Sequence, residues 1–250
     1  MSTKEQIIRF IKDEVKDNDP NSFFREPLVG FSSAQDELYI NIKEIVGKHH
    51  IEPKDILAEA ETVVSFFIPF TEALVKGNRG EEVSEEWAVS YIECNALIAG
   101  ICEKLIKELA KSGVQGAAVK ATHGFDETIL AAAWSHRSAA YIAGLGRFGR
   151  NKILITEKGG AGRYGSLVIS EVIRPDVRQD KEFCLFYSGK NCTYCIDNCP
   201  VQALTADGFD RRKCYECVMA VNAGFPHLGL CDVCGKCSVG PCSGFPPSVL

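Results

Sequence analysis

The sequence predicts an α+β chain in two parts: a mixed helix-and-strand domain over residues 1–180 and a small cysteine-rich domain over residues 181–250. Three observations lead there. Apolar patterns of helical and of strand type are interleaved through the first part. Ten of the twelve cysteines fall between Cys184 and Cys242. Between the two parts, Pro175 to Asp180 reads as a linker.

In chain order, Ile7, Ile8, Ile11 and Val15 repeat at helical spacing over residues 3–17, and Asn18-Asp-Pro-Asn21 ends the pattern. Residues 33–46 read as a second helix, capped by Ser33, with Leu38, Ile42 and Ile45 on its apolar side. The run Thr62-Val-Val-Ser-Phe-Phe-Ile68 is β-branched and aromatic, so a buried strand is expected. Ser84 opens the longest helix, over residues 84–111, with Gly113 as its stop. Trp87, Tyr91, Cys94, Ile98, Ile101, Cys102, Leu105 and Leu109 share one side of it, which makes Cys94 and Cys102 core thiols. A short strand is expected over residues 117–121, then a helix over residues 126–143 capped by Asp126.

Two glycine-rich segments follow. Gly144-Leu-Gly-Arg-Phe-Gly149 leads into a strand over residues 152–156, and Gly159-Gly-Ala-Gly-Arg-Tyr-Gly165 into one over residues 166–170. The first matches GxGxxG, but a dinucleotide fingerprint runs strand, glycines, helix, and here the order is reversed. Two readings stay open. The glycines are a helix stop and tight hairpin, or they let backbone approach a flat ligand. On the second reading Gly144, Gly146, Gly149, Gly162 and Gly165 border a cofactor, and Arg147 and Arg163 hold its polar edges.

The formal charge is −5. Basic and acidic residues balance from Cys184 onward, so the acidic surplus lies earlier and neither part has the basic excess of a nucleic-acid binder. The N-terminus is charged and amphipathic, unlike a secretory signal, and no apolar run is long enough to span a bilayer. The cytoplasm is the expected compartment.

The cysteines are the most specific feature. Cys192-x2-Cys195-x3-Cys199-Pro200 is most of a bacterial ferredoxin signature. Two intervening residues aim a pair of thiolates at one cube. Three more start a helix, with Pro200 suited to its first position, and carry Cys199 to a second cube. A disulfide framework lacks its export signal, and structural zinc does not require the Cys-Pro crossover. Two [4Fe–4S] clusters are expected. The first takes Cys184, Cys192, Cys195 and a late cysteine, and the second takes Cys199, Cys214 and a Cys-x2-Cys pair. Cys231/Cys234 and Cys234/Cys237 both qualify. The preferred set uses Cys234 and Cys237, lets Cys242 close the first cluster, and leaves Cys217 and Cys231 spare.

The segment Ala143-Gly-Leu-Gly-Arg-Phe-Gly-Arg-Asn151, the Gly165-Ser166 strand start and the Cys192–Pro200 run together resemble the epoxyqueuosine reductase family. Residues 53–70 also resemble its first strand. The resemblance implies a nitroreductase-like α/β cofactor domain, a ferredoxin-like double-cluster domain, and a cobalamin-type corrinoid between them; it also extends to reductive dehalogenases. Two departures stand out. The family's reductases continue beyond the clusters into helical repeats that grip tRNA, so tRNA is not the expected substrate of this chain. Their proton donor lies in an Asp-x-x-Pro-x-x-Glu-like segment, where this chain reads His123-Gly-Phe-Asp-Glu-Thr-Ile-Leu130 without the proline. Asp126 and Glu127 therefore do not inherit that role.

Two functions are set against each other. One is a reductase: electrons from a ferredoxin- or flavodoxin-type donor cross both clusters to a corrinoid that reduces a small molecule, with His136 or Tyr141 supplying a proton. The other is an electron carrier or corrinoid-protein reductase without substrate chemistry of its own.

Overall fold

The structure, a computed structural model, describes residues 2–119 and 125–245. Helix α1 (Thr3–Asp17) opens on a capping box in which Ser2 and Glu5 satisfy each other's backbone N–H groups, and it buries Ile7, Ile11 and Val15. After it come β1 (Leu28–Ser33), α2 (Glu37–Val46), α3 (Pro53–Ile56), β2 (Thr62–Pro69), α4 (Glu72–Gly77) and α5 (Glu85–Ala110). Next are β3 (Gly116–Ala117), a hairpin of β4 (Phe125–Asp126) and β5 (Ala131–Ala132), and α6 (His136–Ile142). A second hairpin, β6 (Gly146–Phe148) and β7 (Leu154–Thr156), leads into β8 (Gly162–Ile169). The cysteine segment holds α7 (Tyr194–Asp197), α8 (Arg211–Gly224) and a 3-10 turn at Pro241–Ser243.

The main sheet is antiparallel throughout, in the order β1-β2-β8-β3. All eight residues of β2 are buried because helices cover both faces. Val64, Phe66 and Ile68 meet Leu167 and Ile169 of β8 under α1 and α5. On the other face, Val63 and Val168 pack with Tyr39 of α2, Trp134, and Ala139 and Ile142 of α6. Each such side chain contributes about 1.5–3 kcal/mol by burial. Cys94 and Cys102 are core thiols, 0% and 6% exposed, as their place on the α5 stripe predicts. Among the described residues, no helix is long and apolar enough to cross a membrane.

Several elements differ from the sequence expectation. The second helix starts at Glu37, capped by Asp36, whose side chain accepts from the Leu38 N–H. Ser33 instead ends β1, a strand that the apolar pattern did not signal. The expected strand at 117–121 covers only Gly116–Ala117, with 120 and 121 outside the described residues. No helix begins at Asp126. Its Oδ1 accepts from the N–H of Thr128 and Ile129, closing the turn of the β4–β5 hairpin, and α6 starts ten residues later under a Ser135 cap. His123 lies outside the described residues.

The linker is strapped down rather than free. Asp176 N donates to Phe31 O at 2.8 Å, the Asp176 carboxylate accepts from Phe31 N at 3.0 Å, and Lys4 pairs with the same carboxylate at 2.6 Å. This covers the outer edge of β1.

Candidate functional site

Four of the expected cysteines, Cys184, Cys192, Cys195 and Cys242, line one small pocket together with Arg150, Asn151, Tyr194 and Phe186. They come from four places. Cys184 follows the linker, its N–H held by Glu182, and Cys192 precedes the helix that carries Cys195. Cys242 is brought from the chain's end by the 3-10 turn and by Gly160 N donating to its carbonyl at 2.7 Å.

The rest of the set gathers beside it. Cys199 and Cys234 lie within electrostatic reach of Cys214 on α8. Cys237 is flanked by Cys234 and Cys214 on one side and by Cys242 and Cys195 on the other. Cys217, three residues after Cys214 and so on the same helix face, sits against Cys234. Cys231 turns away: fully buried, it packs with Ala88 and Tyr91 of α5. The helix of the ferredoxin-type run is α7, which carries Cys195 and ends before Cys199. Cys199-Pro200 therefore stands in the turn after a helix, where Gln202 N donates to Cys199 O, and Pro200 does not open one as expected.

Burial raises the thiol pKa values of Cys195, Cys214, Cys234, Cys237 and Cys242, and neighbouring thiols push each of them the same way. Holding these groups together as thiolates would call for positive charge among them. Among the described residues, no three His, Cys, Asp or Glu side chains are grouped as a single-metal site.

The glycines expected to border a cofactor are filled by this chain's own atoms. Gly144, at φ +78°, stops α6, and a Cβ there would lie 2.8 Å from Val177 O. At Gly146 it would lie 2.2 Å from Ile155 O across the hairpin, and at Gly149 2.5 Å from the Ile155 side chain. Gly162 and Gly165 are not in a loop at all but in β8, where added carbons would strike Phe67 and Phe66 respectively. Gly144 thus stops α6, and Gly146 and Gly149 pack the β6–β7 hairpin. The two arginines are engaged as well. Arg147 faces Asp180 and Glu182 at 3.8 Å each, and Arg163 lies over the Tyr91 ring and donates to Asn95.

His136 and Tyr141 do not share a centre. Five residues on one helix separate them by about 140°. His136 Nδ1 meets Ser166 Oγ at 2.7 Å on the sheet, whereas Tyr141 tilts against Phe148 of the β6–β7 hairpin. Burial pushes the His136 pKa down to about 4, with Arg163 acting in the same sense. Arg137, next to it, is exposed yet walled by protein. Desolvation and Arg163 lower its pKa, and Tyr164, Cys237 and Cys214 are near enough to act the other way. Arg137 Nη1 donates to Lys152 O at 3.4 Å. Sequence reasoning did not single out Arg137, Trp134, Ser166 or the amide of Asn151. Ser166 and Asn151 stood inside quoted segments, so proximity to the motifs was the available signal.

The cysteine segment is seated on the sheet-bearing part by polar contacts. Tyr91 Oη donates to Asp232 at 2.5 Å, Asn78 Nδ2 donates to Cys234 O at 2.9 Å, and the indole of Trp87 lies against Gly235. A surface groove also lies between α1 and the end of α5, lined among others by Ile7, Phe10, Leu105 and Leu109, and no cysteine of the segment lines it.

No family model matches the chain. It is 26% identical over 216 residues to an epoxyqueuosine reductase of Lactococcus garvieae, covering 74% of this chain and 55% of that protein. A solved epoxyqueuosine reductase bound to an epoxyqueuosine-modified tRNA-Tyr stem loop superposes with a TM-score of 0.60 at 18% identity, over 96% of this chain and 65% of that one. A reductive dehalogenase solved in connection with B12-dependent dehalogenation gives 0.52 at 21% identity, over 72% of this chain and 24% of that one. The chain spans about half the length of the curated relative. It resembles epoxyqueuosine reductases in sequence and fold, and reductive dehalogenases in fold.

Proposed function

We propose that this chain is an iron–sulfur oxidoreductase holding two [4Fe–4S] clusters. One cluster is on Cys184, Cys192, Cys195 and Cys242, the other on Cys199, Cys214, Cys234 and Cys237. The observation that carries this reading is the sorting of thiols: cysteines from three separate stretches of the chain, Cys184, Cys192/Cys195 and Cys242, line one pocket, and Cys199, Cys214, Cys234 and Cys237 gather beside it. A cubane fits that donor set, because it needs four thiolates spread about an iron–sulfur core rather than converging on one ion. When bound, the clusters supply one-electron steps at low potential. On this reading residues 181–250 form a ferredoxin-like domain seated on a nitroreductase-like domain of residues 1–180.

For the acceptor we propose a corrinoid against the open face of α6, beside Arg137, passing electrons to a small molecule. The support is the likeness to a reductive dehalogenase of B12-dependent chemistry. The glycine segments give it none, so no step is derived through the ring. This chain's own contribution is a neutral imidazole at His136, fixed by Ser166, and a cation at Arg137. A ferredoxin- or flavodoxin-type donor would meet the first cluster where Phe186 and Tyr187 are exposed. We take tRNA not to be the substrate, since the net charge of −5 opposes phosphate binding.

Anaerobic purification tests the whole reading. About eight irons and eight sulfides per chain are expected, with cobalt absorbance retained on gel filtration after hydroxocobalamin is added and reduced. Stoichiometric zinc without iron sinks the cluster assignment. Iron with free-eluting cobalamin leaves the electron carrier as the function. Salt-sensitive micromolar tRNA binding overturns the small-molecule substrate.

A further inference from the structure

Asn151, two residues beyond Gly149, hydrogen-bonds to two of the cysteines. It is 5% exposed. Its Nδ2 donates to Cys237 O at 2.9 Å and lies 3.6 Å from Cys242 Sγ, while its Oδ1 accepts from Ile153 N at 3.2 Å. The amide orientation is settled by its partners. A backbone N–H can only donate and a backbone carbonyl can only accept, so the oxygen faces Ile153 and the NH2 faces the cysteines. Gly149 makes room for it: a Cβ there would lie 2.8 Å from Asn151 Oδ1. Gly160 N grips the Cys242 carbonyl from the second glycine segment. Both segments thus converge on Cys242.

Resting on the two-cluster reading, we propose that Asn151 is a positioning residue that raises the reduction potential of the Cys184–Cys192–Cys195–Cys242 cluster and fixes its distance from the Cys237 turn of the other. The physical cause is direct. Reduction adds negative charge to the cluster and its thiolates, and an N–H aimed at one sulfur stabilises the reduced form more than the oxidised form. The second amide hydrogen, on Cys237 O, ties the backbone of one cluster's ligand to the sulfur of the other's. Asn151 is bound to the sheet-bearing part, so the tuning comes from outside the cysteine segment.

Two variants test this. Asn151→Asp keeps the shape and the acceptor for Ile153 N but loses both donors; Asn151→Ala loses the donors without adding charge. Each is loaded anaerobically, assayed for iron, and titrated potentiometrically with EPR detection. The Cys192→Ala variant retains only the second cluster's signal and so assigns the two potentials. Expected is full iron with a lowered potential for the first cluster alone, the shift larger for Asp than for Ala. Loss of about half the iron, confined to the first cluster, also supports the positioning role. Full iron with neither potential moved, or equal change in both clusters, overturns it. Wild-type protein that binds no iron fails the cluster reading instead, which is a separate result.

Discussion

His136 Nδ1 and Ser166 Oγ stand 2.7 Å apart, and Trp134 Nε1 donates to the same oxygen at 2.9 Å. An indole N–H can only donate, so Ser166 Oγ accepts from Trp134 and keeps its own proton and a second lone pair for His136 Nδ1. Desolvation disfavours the charged imidazolium there.

The pH dependence follows from that. An unfolded histidine titrates near 6.5, and His136 in the fold near 4. The group is neutral in both states above 6.5, so it leaves stability unchanged there. As pH falls from 6.5 towards 4 the unfolded chain takes up a proton that the folded chain refuses, and stability drops. Urea midpoints at pH 7 and pH 5 should differ by on the order of 1–2 kcal/mol more in the parent than in His136→Gln. Equal pH dependence in both proteins would contradict the arrangement.

The cysteines separate in a substitution series. Cys195→Ala and Cys214→Ala should each cost about half the bound iron, one from each cluster. Cys231→Ala should keep all of it, because that thiol is packed against Ala88 and Tyr91. Its cost is a cavity, roughly 1 kcal/mol in thermal unfolding. Loss of about half the iron in Cys231→Ala would place it among the ligands in preference to Cys237.

Gly165→Ala separates packing from cofactor binding. The added carbon would meet the Phe66 ring at 2.4 Å and Ile98 at 2.7 Å, both rigid core side chains. Overpacking there should destabilise by about 1–3 kcal/mol, while iron content and cobalamin retention at 10 °C stay at parent levels. A slot-lining glycine would give the opposite: normal stability and lost cofactor.

What the sequence disclosed divides along the same line. Ligand spacing is a local property, so the thiols that meet in one pocket could be nominated from Cys192-x2-Cys195 and the late cysteines. Glycine shows that something approaches the backbone closely but not what, and here the approaching atoms are Ile155, Val177, Phe66 and Phe67. The strand β1 was hidden because Leu-Val-Gly-Phe-Ser-Ser has no sustained β-branched run. It exists through its register with β2, and Gly30 is required where Ala143 O comes within 2.8 Å of the position of a Cβ. The alanines at 131–133 read as helix by propensity, yet the Asp126 turn commits that stretch to a hairpin. Asn151 was legible as a letter of a motif, and its role was not, since its partners lie 86 and 91 residues away.

The last prediction concerns the seat of the cysteine segment. Asn78 is fully buried, and its side chain serves three groups: Oδ1 accepts from Ser84 N and from Lys236 Nζ, and Nδ2 donates to Cys234 O. Lys236, 4% exposed between Cys234 and Cys237, also donates to the carbonyls of Asn78 and Glu82. The two residues meet each other, yet their removal should not be equivalent. Asn78→Ala leaves a helix-capping N–H, a carbonyl and an ammonium short of partners, which should cost about 2–4 kcal/mol. Lys236→Met removes the buried charge together with its desolvation penalty and keeps the apolar stem, so its cost should stay near 1 kcal/mol. Limited proteolysis supplies the local readout. Cleavage within residues 226–240 should accelerate in Asn78→Ala and change little in Lys236→Met. If Lys236→Met is the more damaging of the two, the ammonium rather than the amide holds the segment down, and the cation between Cys234 and Cys237 is the anchor.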